Sequence, residues 1–159
     1  MQANTHFLVA VFFIKILENL WISPIPWLQI VVFSLVAFLS HLLLDFLVKF
    51  TYHPANAKPK DKFWVGYHIY SYILMMVIFI WLFNPYWWVM LISVMVDIID
   101  WLILRAIFRI PTERTWFHPW IMRIRDTYFA WIPDRTEINA SCIPEFIITG
   151  LLIWAIIVL

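Results

Sequence analysis

Residues 29–50 read Q-I-V-V-F-S-L-V-A-F-L-S-H-L-L-L-D-F-L-V-K-F, an otherwise apolar run long enough to cross a bilayer. His41 and Asp45 stand four residues apart inside it, so on a helix they project from one face. An imidazole and a carboxylate at membrane depth cost free energy unless something compensates. That makes the pair a functional candidate by default.

The rest of the chain agrees with a membrane setting. It has 159 residues, of which 64% are hydrophobic, 19% aromatic and 13% charged, with a mean hydropathy of +0.86. This is the composition of an integral membrane protein, not of a soluble domain. Four runs, about 27–48, 66–83, 86–104 and 143–159, reach or approach the roughly 20 residues that a helix needs to cross hydrocarbon. A fifth, about 7–22, carries Lys15 and Glu18, which read as snorkelling or helix-packing residues. It lacks a basic leader and a small-residue cleavage site, so a retained helix is expected, not a signal peptide. All 9 prolines fall outside the centres of these runs, with Asn84-Pro85 and Ser141 to Pro144 reading as helix starts.

Of the 11 basic residues, all but Lys15 lie in two stretches, Lys49 to Lys62 and Arg105 to Arg135. By the positive-inside rule both are cytoplasmic, which is consistent because two spans separate them. The expected fold is therefore all-α: a polytopic membrane helix bundle forming one integral membrane domain over 1–159. It has five transmembrane helices, an inside N-terminus and an outside C-terminus. If the first segment does not cross, four spans remain with the same orientation. Around 113–132, Trp116, Trp120, Ile124 and Tyr128 recur at i+4 with Phe117 and Ile121 beside them, the pattern of an interfacial amphipathic helix. Such a helix either anchors the chain to the membrane surface, covers a site or guides a lipid into it. Aromatic clusters at Trp21 to Trp27, Trp64 to Tyr72 and Trp81 to Trp88 match interfacial belts.

Several chemistries are excluded. There is no phosphate-binding loop, dinucleotide fingerprint or nucleophile elbow, and a single cysteine, Cys142, allows neither an internal disulfide nor a cysteine-cluster metal site. The basic residues serve topology, so nucleic-acid binding has no support.

Helical rise assigns a depth to each ionisable group. His41 precedes Lys49 by eight residues and Asp97 precedes Arg105 by eight, placing both roughly 12 Å inside the cytoplasmic end of their helices. Asp45 and Asp100 come out together nearer the interface. Asp97 and Asp100, at i and i+3, also share a face. His68 stands at the start of the third run and His6 at the start of the first. His41, Asp45, Asp97, Asp100, His68 and His6 thus form a candidate metal-ligand set. His53, His118 and Glu145 are candidates for further ligands or supporting residues, although His53 and His118 taken singly read as solvated loop histidines. Neutral imidazoles with carboxylates suit zinc, manganese or iron, and the carboxylate-rich half also accepts magnesium, as one ion or two. The competing reading is structural pairing of these groups with one another or with Arg105 and Arg109.

The motifs S-H-L-L-L-D-F at 40–46, T-H-F-L at 5–8 and V-D-I-I-D at 96–100 resemble those of the YdjM-type membrane-bound metal-dependent hydrolases. The H-L-L-L-D-F stretch, with lysines at 58–62 and H-I-Y-S-Y at 68–72, is also similar to small bacterial membrane proteins with H-x-x-x-D-F followed by a lysine and a second histidine. Here the acidic pair is spaced by three with valine in place of proline, and it follows H-x-x-x-D in the chain. The resemblance implies hydrolase-like metal chemistry on His41, Asp45, Asp97 and His6, in a bacterial or archaeal cytoplasmic membrane.

The expected function is metal-dependent hydrolysis of a lipid-like phosphoester or ester at the cytoplasmic interface. Asp100 and His68 would relay protons, and Lys49, Arg105 or Arg109 would hold an anionic headgroup. Membrane lipids are the expected partners. Two rivals remain open: a non-enzymatic subunit of a membrane complex, ligating haem or a pigment through His41 and His68, and a proton or ion path through Asp45, Asp97 and Asp100.

Overall fold

Without water to receive them, backbone groups in runs this apolar can be satisfied only within the segment, and helices do this completely. A computed structural model describes residues 2–20, 25–54 and 58–159, and every regular element among them is helical. Trp21, Ile22, Ser23 and Pro24, where the first span is expected to end and the chargeless turn to begin, lie outside the described residues. The helices are α1 (Ala3–Leu20), α2 (Pro26–Phe46), α3 (Lys62–Trp81), α4 (Phe83–Ser93), α5 (Met95–Ile107), α6 (His118–Tyr128) and α7 (Cys142–Val158). Four candidates are long and apolar enough to cross a membrane, α1, α2, α3 and α7 together with the 3-10 turn that precedes it (Asn139–Val158), and α4 with α5 make a fifth if counted together.

The helix starts follow local chemistry. Pro26 sits in the first turn of α2, where its missing N–H costs nothing. Asp61 caps α3, accepting from Phe63 N at 2.8 Å and Trp64 N at 3.4 Å, so this helix begins four residues before the apolar run suggests. α5 is stopped two residues after its last turn by Arg109, whose φ of 56° is left-handed, with Ile110 N donating to Leu104 O at 2.9 Å.

The expected straight span over 86–104 is broken. α4 and α5 meet at 49°. Ser93, the last residue of α4, returns its hydroxyl to Met90 O at 2.8 Å, a back-bond that bends helices. Its own carbonyl receives the His41 ring at 2.7 Å. Beyond the bend, Ile98–Ile107 is wound as a π-helix. Such winding is rare and recurs at functional sites.

α1, the least apolar candidate span, is the innermost element and packs against α2, α3, α4 and α7. Its Leu8, Ala10, Val11 and Ile14 meet Phe33 and Ala37 of α2, Ile78 of α3, Val89 and Met90 of α4, and Ile156 of α7. Its charged residues are used internally. Lys15 Nζ donates to Ile156 O at 2.6 Å, and Glu18 accepts from Tyr86 Oη at 2.7 Å. Glu145, buried in the first turn of α7, accepts from Gln2 N at 2.7 Å, Thr5 Oγ1 at 2.8 Å and Tyr67 Oη at 2.6 Å. One carboxylate thereby ties the starts of α1 and α7 to α3.

α6 lies across the ends of α2 and α5. Its inner face is Ile121, with Phe117 just before it, packed on Leu42, Val96, Phe38 and Phe46. The recurring Trp116, Trp120 and Tyr128 are exposed. The helix is shorter than the expected 113–132 because Thr112–Arg114 form a separate 3-10 turn.

Candidate metal centre

Four elements deliver side chains to one place where α1, α2, α5 and α6 meet. His6 of α1 and His41 of α2 are wholly buried and stack, with ring centroids 4.1 Å apart and planes inclined by 20°. His6 Nε2 lies 3.5 Å from Asp45 Oδ1, and His41 Nε2 lies 3.1 Å from Asp45 Oδ2 and 3.9 Å from Asp97 Oδ1. His118, the first residue of α6, completes the group from the far side. Its Nε2 is 3.3 Å from Asp97 Oδ1 and 3.8 Å from Asp45 Oδ2.

The roles of the ring nitrogens follow from their outer partners. A carbonyl only accepts, so His41 Nδ1 carries the proton toward Ser93 O. The lone pair of the neutral ring is then on Nε2, facing two carboxylates. His41 Nε2 and both His6 nitrogens are buried and make no hydrogen bond among the described residues. His118 is held likewise. Its Nδ1 is 2.9 Å from Asp100 Oδ2, while its Nε2, the atom facing Asp97 and Asp45, also receives the Trp101 indole N–H at 2.9 Å, a contact that an ion there would have to displace. Orientation of a ring through its outer nitrogen is the usual support of a metal-binding histidine.

Asp100 stands behind the cluster. Besides the His118 ring, it accepts from Trp116 N at 3.0 Å, Phe117 N at 2.8 Å and His118 N at 2.7 Å, so it caps α6 from another helix. Asp97 and Asp100 do share a direction, and they meet opposite nitrogens of one imidazole. Burial lowers the basicity of His118, but the Asp97 and Asp100 carboxylates outweigh it and hold its pKa above the ordinary histidine value. The surroundings favour positive charge between these atoms.

Of the expected set, His6, His41, Asp45 and Asp97 come together, Asp100 supports them, and His68 is not among the converging groups. The His68 ring lies against Trp64 at 4.1 Å and bonds through Nδ1 to Trp64 O at 2.8 Å. His41 faces His6, so the bis-histidine pair of the haem reading is not assembled. His118 stands there instead, one of the further candidates, although taken singly it read as a solvated loop residue. The signal was present in its spacing: His118 precedes the buried Ile121 by three residues and so shares its inward face. His53 is exposed in its loop, as expected. Glu145 acts on α1, one residue from His6, and donates nothing to the cluster. Lys49 Nζ is engaged with Asp126 Oδ1 at 3.3 Å, while Arg105 lies over the Trp101 ring at 4.8 Å from its centroid.

The donors divide into two sets whose atoms lie within 4.8 Å of one another: His6, His41 and Asp45, and Asp45, Asp97 and His118. Metal bonds of about 2.0–2.1 Å put neighbouring ligand atoms roughly 3.3 Å apart in a tetrahedral site. The contacts of 3.1–3.9 Å fit this within small side-chain movements. These buried histidine and aspartate groups can hold a metal ion. No family model, curated protein or solved structure matches the chain.

Proposed function

We propose that the chain is an integral membrane protein whose divalent-metal centre hydrolyses a lipid-like phosphoester or ester at the cytoplasmic interface. The observation that carries the metal is the sealed set of lone pairs: His41 Nε2, fixed as an acceptor by Ser93, faces Asp45 Oδ2 at 3.1 Å. Acceptor against acceptor at that distance calls for a proton or a metal ion between them. Protonating both stacked imidazoles would bury two like charges side by side, so a dication answers the whole set better than protons do. Three imidazoles and two carboxylates favour zinc, manganese or iron over magnesium.

Membrane insertion is supported by the outward faces. Val31, Leu35, Leu39 and Leu43 form an exposed stripe on α2, as do Ile69, Ile73, Met76 and Ile80 on α3 and Ile147, Leu151, Trp154 and Val158 on α7. Soluble monomers rarely expose contiguous apolar surface on this scale. With α4 and α5 as one bent span and the basic loops inside, the N-terminus is cytoplasmic and the centre opens to that side.

When bound, the ion would polarise the scissile group and make a water acidic enough to attack at neutral pH. The residues of the chain do the rest. The Asp97 side chain is 32% exposed while His6 and His41 are sealed, so water and substrate meet the cluster on the Asp97 side. Asp97 accepts the proton of the attacking water. The water oxygen bonds to phosphorus or the acyl carbon, the bond to the alcohol oxygen breaks, and that oxygen takes the proton back. Exposed Arg105, stacked on Trp101 beside His118, is the cation placed to hold an anionic headgroup. The resemblance to membrane-bound metal-dependent hydrolases points the same way.

Elemental analysis of detergent-purified protein beside His41→Ala tests the metal, with the variant expected to lose it while keeping its helical circular dichroism. A wild type that neither contains nor takes up a dication ends the proposal. Bound metal with no turnover of lipid phosphoesters or esters would leave the centre and remove the hydrolase.

A further inference from the structure

We infer that the cluster is built for two ions bridged by Asp45, and that this pair selects a phosphoester over a neutral ester. The inference rests on the metal reading above and refines it. The two donor sets have only Asp45 in common, and His6 and His118 belong to different sets. Both Asp45 oxygens face nitrogen donors: Oδ1 lies 3.5 Å from His6 Nε2, while Oδ2 lies 3.1 Å from His41 Nε2 and 3.8 Å from His118 Nε2. A carboxylate common to both donor sets, with His6 on one oxygen and His118 on the other, is placed as a bridge, and bridged ions in hydrolytic sites stand about 3.5–4 Å apart.

One ion does not reach both ends of the cluster. Among His6, His41 and Asp45 it would leave Asp97 and His118 outside its ligand set, and between Asp45, Asp97 and His118 it would leave His6, whose buried nitrogens make no hydrogen bond among the described residues. Two ions would engage all five residues. Asp100 then belongs to the support, because amide N–H groups and the His118 ring already engage both of its oxygens.

Charge decides the substrate class. Two dications exceed the charge of Asp45 and Asp97, so the centre carries excess positive charge that an anionic group completes. A phosphoester supplies that charge and offers oxygens to both ions, whereas a carboxylic ester is neutral. Asp97 is the exposed edge at which it would dock.

The test is a Mn2+ titration of metal-stripped protein in detergent, followed by electron paramagnetic resonance. Two Mn2+ per chain with an exchange-coupled spectrum are expected. His6→Ala and His118→Ala should each reduce binding to one ion and restore the six-line spectrum of isolated Mn2+. Inorganic phosphate should perturb the coupled spectrum of the wild type. Saturation at one uncoupled Mn2+ overturns the two-ion centre and leaves the metal reading intact, whereas no binding overturns both. A coupled pair that ignores phosphate overturns the substrate class. Should the variants not fold, the stoichiometry and coupling of the wild type alone decide the question.

Discussion

The His41 imidazole has one nitrogen committed to Ser93 O and the other turned to Asp45 and Asp97, so its chemistry is set by a backbone carbonyl that the bend after α4 makes available. Asp100 plays the corresponding part for His118. Replacing Asp100 with Asn keeps the shape but removes the charge that orients both the ring and the start of α6. Asp100→Asn should weaken metal binding about 10–100-fold, as losses of such supporting partners do. Calorimetric titration measures this, and unchanged affinity would reduce Asp100 to a helix cap. At this scale much of the centre was legible. His6, His41, Asp45 and Asp97 lie in apolar runs, where helical rise turns position into depth. His118 follows a loop, where counting residues assigns no depth, and only its spacing to Ile121 hinted at its face. Asp100 was expected as a ligand and proton relay, whereas its partners are the His118 ring and backbone amides that no spacing rule reveals.

At the scale of elements, α1 holds the molecule together although its hydropathy is the lowest of the candidate spans. Its polar residues lowered that score, and they are the ones its neighbours bind. Glu145 is the principal tether, accepting from the Gln2 amide and from the Thr5 and Tyr67 hydroxyls. Glu145→Gln presents an NH2 group to these donors and leaves at least one buried donor unmatched, at a cost of about 1–3 kcal/mol. Because Thr5 adjoins His6, the same variant should lose metal occupancy as well as thermal stability. Unfolding in detergent and elemental analysis read the two effects separately. A variant that melts early but keeps its metal would confine Glu145 to stability. The order of the helices was readable from the apolar runs and prolines. The 49° break was not, because the proline-free stretch at 86–104 contains only Ser93 as a sign, and serine bends a helix only when its hydroxyl turns back.

For the whole molecule, the proposed orientation predicts which side of the membrane each loop meets. In a Cys142→Ser background, Lys60→Cys should react with an impermeant thiol reagent only from the cytoplasmic side, and Asn84→Cys only from the other. Labelling of both from one side would refute the five-span arrangement. Metal removal should also be felt globally. An ion present at 100 times its dissociation constant contributes about 2.7 kcal/mol of stability. A chelator should therefore lower the melting temperature of wild type and leave that of His41→Ala unchanged. The donors differ in how firmly they are rooted. His6, His41, Asp45 and Asp97 stand on helices of the bundle, whereas His118 heads an 11-residue helix laid across its end, with tryptophans on its outer side. The cluster is in this sense a well whose floor is set by the bundle and whose last donor is hung from the helix at its mouth.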